Sequence, residues 1–267
     1  MIKLSIIIPT YNRLDALDIC LKALCQQQNV LENWQVLIVN DGGESVKNLV
    51  VEYQKYFNIR QLTQENKGPA SARNLGVENA DGEIIAFLDD DCIPEKNWIS
   101  EVISCSKMGA ITGGLVTNWY SSNLYSESSQ LLLDFLYQQN SSTNDAFFTS
   151  NNFSLYKTDF IKIGGFSARF RTSAGEDREF CVRARNTGLR LRLNKSIKIN
   201  PYFPESWTNR GLALNALLRY DEALLSFDSS VSLKTDFPET WNNRGITLYN
   251  LGRYKDAIDS YDKSIAI

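Results

Sequence analysis

At 267 residues, with 43% apolar and 22% charged residues, the chain has the make-up of an ordinary soluble globular protein of one large or two smaller domains. A net charge of −3, with Lys and Arg scattered rather than massed, gives no basic footprint for nucleic acid or anionic lipid. Histidine is absent, so the commonest general base and the commonest transition-metal ligand are both excluded, and any metal is held by oxygen or thiolate.

In chain order, residues 3–8 (KLSIII) read as a buried strand stopped by Pro9, and no apolar run there is long enough for a signal-peptide core. Leu14, Leu17, Leu21 and Leu24 then recur at helical spacing. Residues 34–39 (WQVLIV) form a second buried strand ended by Asn40-Asp41-Gly42-Gly43, followed by a helix near 44–56 and a short strand near 58–63. Residues 69–79 suit a helix with Pro69 in its first turn, and 83–88 (EIIAFL) are a third strong strand closed by Asp89-Asp90-Asp91. Residues 121–150 read as a mobile, Ser- and Asn-rich region carrying a short helix at the apolar run Leu131 to Leu136. Order returns over 151–166, then an amphipathic helix is expected at 176–187 and a last strand at 189–193 (LRLRL). Near-continuous apolar strands alternating with helices predict an α/β fold, a mostly parallel sheet covered on both faces. Ligands sit at the carboxyl ends of such strands, where Pro9 to Arg13, Asn40 to Gly43 and Asp89 to Asp91 fall.

The pattern then changes to all-α. Trp207 and Trp241 stand 34 residues apart (241 − 207), with Gly211/Gly245, Tyr220/Tyr254, Ala223/Ala257 and Phe227/Tyr261 in the same register. These segments resemble tetratricopeptide helix pairs, with small residues where helices cross and aromatics between them, and with Ser230 and Ser264 where alanine is common. Residues 194–199 echo 262–267, and Pro201 stands where a repeat-ending proline belongs, so the repeats are expected to begin at residue 193 with the second helix of an earlier copy. The expected domains are 1–192 and 193–267.

Three aspartates at the end of a buried strand repel one another, and a hard cation such as Mg2+ or Mn2+ is the natural way to keep them ionised. Such an ion accepts one or two carboxylates plus substrate phosphates, as a nucleoside diphosphate supplies. The five cysteines are an odd number without a Cys-x-x-Cys pair, which points to a reducing cytoplasm rather than to zinc or disulfides.

Beyond the triplet, SIIIPTYNR, VNDGG, NKGPASARNLGVENADGEIIAFLDDDCIP, NNFSLYKTDFIKIGGF and GEDREFCVRARNTGLRL occur in one order. Together they resemble family 2 glycosyltransferases of the GT-A fold over about residues 3–192. The resemblance implies a nucleotide-sugar donor, a divalent cation (Mn2+ or Mg2+) and an inverting transfer. Carried over by position, the family's metal-binding DxD element falls on Asp89 and Asp91, with Asp90 beside them. The aspartate that contacts the nucleotide base falls on Asp41, and the loop packing on base and ribose falls on Pro9, Thr10, Tyr11, Asn12 and Arg13. Lys67, Arg73 and Asn74 match the segment lining the nucleotide side. The glutamate–aspartate pair falls on Glu176 and Asp177, with Asp177 as the general base; in a chain without histidine a carboxylate suits that task.

The expected function is thus a metal-dependent inverting glycosyltransferase acting on a glycan, lipid-linked or protein acceptor, its repeats recruiting a protein partner. It is expected to be cytoplasmic or peripheral to a membrane, without nucleic acid or a transmembrane segment. Many relatives complete the metal site with a histidine beyond the final strand, which this chain does not carry. The rival reading is therefore a catalytically impaired transferase-like domain serving with its repeats as a scaffold. A nucleotidyltransferase or dinucleotide-dependent dehydrogenase would need a glycine-rich loop after the first strand, and PTYNR has no glycine.

Overall fold

The computed structural model describes residues 2–116, 147–170, 175–201 and 204–267. The expected mobile region with its Leu131 to Leu136 run lies outside the described residues up to residue 146. By its internal contacts the chain divides into two units, Met1–Pro201 and Tyr202–Ile267.

Among the described residues the first unit is built on one eight-stranded mixed sheet. Its strands are β1 (Leu4–Thr10), β2 (Trp34–Asn40), β3 (Asn58–Thr63), β4 (Ile84–Leu88), β5 (Cys92–Pro94), β6 (Ala110–Val116), β7 (Asn152–Tyr156) and β8 (Arg190–Pro201). They lie in the order β3-β2-β1-β4-β7-β6-β8-β5. The pairs β1–β2, β2–β3, β1–β4 and β6–β8 are parallel, whereas β7 runs against β4 and β6, and β5 against β8. The central strands are apolar on both faces, and helices cover both. Ile6, Ile8, Val36 and Ile38 pack against α1 (Leu14–Cys25), α2 (Lys47–Tyr53) and α4 (Trp98–Cys105). The alternate residues Ile7, Leu37, Val39 and Phe87 pack against α3 (Pro69–Glu78), α5 (Lys157–Ile163) and α6 (Glu176–Asn186).

Pro9 does not stop β1. It pairs with Val39 of β2, and Thr10 pairs with Asn40. On the other side the β1–β4 ladder ends earlier, at Ile7 with Phe87, so the missing proline N–H falls past the end of that ladder.

The larger difference is at the expected boundary of residue 193. Residues 194–199 are not the closing helix of a repeat; β8 continues through them to Pro201. Leu115 and Val116 pair with Lys198 and Ile199, and Cys92 to Pro94 pair with Pro201 to Ile199. Ile197 and Ile199 are buried in the sheet's core. Two isoleucines spaced by two satisfy a strand as readily as a repeat echo, and pairing with distant strands decides between them.

The second unit holds two helix pairs, α7 (Pro204–Ala216) with α8 (Tyr220–Leu233) and α9 (Pro238–Asn250) with α10 (Tyr254–Ala266). Within each pair a glycine lets an aromatic approach the partner helix. A Cβ on Gly211 would lie 2.6 Å from Phe227, and one on Gly245 2.5 Å from Tyr261. The serine at 230, unusual for a repeat, is fully buried and shares a hydroxyl hydrogen bond with Thr208 at 2.9 Å. Thr208 in turn bonds Thr240 at 2.6 Å, so three polar groups satisfy one another between the helices.

Candidate functional site

Parallel pairing brings the ends of β1, β2 and β4 to one side of the sheet, so the residues that follow them share one edge. A cleft of about 250 Å3 opens there. Of the expected residues, Pro9, Thr10, Tyr11, Arg13, Asp41, Arg73, Asp89 and Asp90 line it, joined by Pro69.

Asp41 is buried just past β2, and its carboxylate holds the next loop. Oδ1 accepts from Gln64 Nε2 at 2.6 Å and from the Lys67 amide at 2.9 Å, and Oδ2 accepts from the Gly68 amide at 2.8 Å. Lys67 thus takes part through its backbone, and its side chain is exposed. Gly42 has φ +85°, and a Cβ there would lie 2.8 Å from the Asn66 amide, so glycine suits this turn on both counts. Asn12 lies outside the cleft lining; its Oδ1 accepts from the Glu44 amide at 2.8 Å and ties the β1 loop to the β2 loop.

The acidic triplet is divided between two arginines. Arg13 Nη1 donates to Asp91 Oδ2 at 2.7 Å and to Asp90 Oδ1 at 3.3 Å. Arg73 Nη2 donates to Asp89 Oδ1 at 2.7 Å. Burial pushes the Asp90 carboxyl up to about 6, with Asp91 and Asp89 adding to the rise while the Thr10 hydroxyl and Arg13 oppose it. Burial and Asp89 also raise Asp91, against Arg13. Asp91 is not among the residues that line the cleft and is tied to it through Arg13.

Glu176 and Asp177 open α6, beyond the cleft lining. Glu176 is buried, and its Oε1 lies 3.5 Å from Arg73 Nη1. Asp177 Oδ2 accepts from the Ser150 amide at 3.0 Å, and its Oδ1 is buried without a hydrogen-bond partner. Burial raises the Asp177 carboxyl, while Arg73 and Ser150 pull it back. Asn74, next to Arg73, faces away: its amide donates to and accepts from the Phe166 backbone, both at 2.8 Å, and so fixes the glycine-rich turn before α6. Phe166 stacks on Phe180 of α6 with ring centroids 4.5 Å apart.

Gln64 and Ser150 are the contributors that sequence reasoning missed. Each acts on an expected aspartate from a loop whose position only folding defines, and no local pattern marks either.

Among the described residues no three carboxylate, thiol or imidazole groups converge on one point, so these residues by themselves form no cation cage. A Mg2+-type ion needs less, one or two carboxylates completed by phosphates. Three carboxylates crowded at the end of β4, two of them (Asp90 and Asp91) raised by burial and by their acidic neighbours, are donors of that kind, so the residues present fit such an ion. No helix among the described residues is long and apolar enough to cross a membrane.

The family model described as Glycosyl transferase family 2 matches residues 5–178, and the tetratricopeptide repeat model matches residues 238–267. Glycosyltransferase AglE of Haloferax volcanii is 35% identical over 103 residues, covering 38% of this chain and 34% of its own length. Chondroitin synthase of Escherichia coli is 27% identical over 234 residues, covering 71% of this chain and 33% of its own. Validoxylamine A glucosyltransferase of Streptomyces hygroscopicus subsp. jinggangensis is 27% identical over 225 residues, covering 72% and 53%. The chain therefore spans from a third to about half the length of these relatives. Among solved structures, S. aureus TarS 1-349 in complex with UDP superposes with a TM-score of 0.57 at 16% identity, over 97% of this chain and 89% of that one. Mannosyltransferase PcManGT from Pyrobaculum calidifontis, in complex with GDP-Man and Mn2+, gives 0.61 at 16% identity, over 99% and 75%. At such identities the likeness shows the fold.

Proposed function

The chain belongs to glycosyl transferase family 2, and from that premise we propose that it is a glycosyltransferase moving a sugar, with inversion, from a nucleotide-sugar donor to a glycan, lipid-linked or protein acceptor. The observation that carries this reading is the meeting, on the two sides of Arg73, of the acidic triplet at the end of β4 with the Glu176–Asp177 pair at the start of α6.

In this reading the base and ribose lie along Pro9 to Arg13 and Asp41. The three donors already on Asp41 fix the wall from Gln64 to Gly68, and an ionised carboxylate retains acceptor capacity for a base N–H. The diphosphate lies toward the triplet. A divalent cation held by Asp89 and Asp91 would neutralise charge on the departing diphosphate. The acceptor hydroxyl attacks the anomeric carbon from the side opposite the diphosphate, the sugar–phosphate bond breaks, and Asp177 takes the hydroxyl proton. Its carboxyl, raised by burial, is better matched to that proton than an exposed aspartate is. Asn12 and Asn74 hold the loops that surround the donor. The repeats supply a surface for a protein partner.

The test is nucleoside diphosphate release from UDP- and GDP-sugars with Mn2+, in wild type, Asp91→Asn and Asp177→Asn. Turnover lost in both variants supports the reading. Donor binding without turnover, indifferent to Asp177→Asn, would instead favour the scaffold.

A further inference from the structure

Arg73 is placed unusually for a residue of a substrate cleft. Its side chain is 4% exposed, yet it projects from α3 between carboxylates of two other elements. One arm of the guanidinium meets Asp89 after β4 at 2.7 Å, and the other reaches Glu176 of α6 at 3.5 Å. Its Cζ sits over the Phe166 ring, 5.7 Å from the centroid. Nε is buried without a hydrogen-bond partner. A buried donor left unpaired in this way marks a constraint set by something other than local satisfaction. Burial works against the guanidinium's charge, and Asp89, Asp177 and Glu176 more than restore it.

We infer that Arg73 is a positioning residue that couples the two halves of the site, its rigid fork locking the first turn of α6, and so Asp177, to the carboxylate that ends β4. The inference rests on Asp177 being the base. A planar guanidinium can serve two carboxylates at once in a fixed geometry, whereas an ammonium on a flexible stem serves as a point charge. Phe166 completes the device. The same ring that carries Arg73 stacks on Phe180 one turn into α6, and its backbone is pinned by Asn74, the residue after Arg73. The main groups acting on Asp177 are Arg73 from α3, the Ser150 amide and hydroxyl from the segment before β7, and Glu176 from its own helix. Cys181, one turn on, is buried with its thiol pushed up to about 12 and stays neutral. Arg73 supplies the largest cationic influence on Asp177, and its loss leaves Glu176 and Asp177 as adjacent buried carboxylates without it.

The experiment follows the Asp177 carboxyl 13C resonance against pH in the full chain, assigned with Asp177→Asn, for wild type, Arg73→Lys and Arg73→Gln. Binding of UDP-N-acetylglucosamine and GDP-mannose, with Mn2+, is measured by calorimetry on the same proteins, and nucleoside diphosphate release gives kcat and KM. The expected result is a midpoint raised by about one pH unit or more in Arg73→Gln and by less in Arg73→Lys. The kcat of Arg73→Gln falls about tenfold or more, with donor affinity changed far less. A midpoint that does not move, or a loss confined to donor affinity, overturns the coupling. Should Arg73→Gln fail to fold, Arg73→Lys carries the test: it keeps a charge and loses the fork, and a kcat and an Asp177 midpoint both unchanged from wild type overturn the inference. A wild type that binds donor without releasing diphosphate refutes the proposed function, and the resonance still decides the coupling.

Discussion

Asp41→Asn nearly preserves the shape of a buried side chain and changes what one of its oxygens can do. In wild type Oδ1 serves Gln64 and the Lys67 amide while Oδ2 serves the Gly68 amide at 2.8 Å. The best orientation of the asparagine keeps its oxygen on the first two donors and turns its NH2 toward the Gly68 N–H, donor against donor. One hydrogen bond to a charged group is lost, about 1.5–3 kcal/mol, and a buried amide is left without an acceptor, about 1–3 kcal/mol. The two overlap, so a loss of roughly 2–4 kcal/mol is expected. For a folding unit of 150–250 residues, each kcal/mol moves Tm by about 2–4 °C, which predicts a fall of roughly 4–16 °C. The assay is calorimetry of the ligand-free full chain at pH 7, with urea unfolding to confirm the change. Leaving out the donor separates the loop-holding role of Asp41 from any contact with a base. A Tm within about 1 °C of wild type would refute the claim that this carboxylate organises the wall from Gln64 to Gly68.

Asp90→Asn should act in the opposite direction. A carboxyl with its folded value about 6 against an ordinary 3.8 adds stability that is present at low pH and lost as pH rises through 6. At pH 7.5 the ionised group therefore destabilises the fold, and the neutral variant should gain about 1–3 kcal/mol in urea unfolding, a gain that shrinks toward pH 4. Asp177→Asn should lower kcat for diphosphate release by about 10²–10⁴ while leaving donor affinity, read by calorimetry, within a few-fold. In the repeats, Gly211→Ala places a methyl 2.6 Å from the fully buried Phe227 ring. It should cost about 1–3 kcal/mol despite alanine's higher helix propensity, measured by circular dichroism melts. Ending the chain at residue 192 removes the buried Ile197 and Ile199 with all of β8 beyond its first three residues, at about 2–5 kcal/mol per isoleucine. A protein ending at Pro201 should therefore remain folded in far-UV spectra and the shorter one should not.

Much of this site was legible because its chemistry lies at the ends of strands that declare themselves. KLSIII, WQVLIV and EIIAFL are each apolar on both faces, and the residues after them had to share an edge once the strands were parallel. The short strand at Cys92, helix α4 and strand β6 left weaker marks, since β5 has three residues and Gly113 and Gly114 interrupt β6. Asn12 and Asn74 illustrate another limit. Both stand inside the motifs, but an amide bonds backbone as readily as ligand, and the sequence carries no sign of which partner folding brings near.

The sequence by itself determined the mixture of buried strands and helices, the convergence of three polar clusters, the acidic triplet and the 34-residue repeat. These rest on periodicity, on spacing or on residues adjacent in the chain, all local properties. Only the tertiary structure decided that residues 194–201 are strand rather than helix, because their partners in β6 and β5 are some 80 to 110 residues away. It likewise decided that Arg73 stands between Asp89 and Glu176, 16 and 103 residues distant. An ion pair across that separation depends on the sheet, and no spacing rule reaches it.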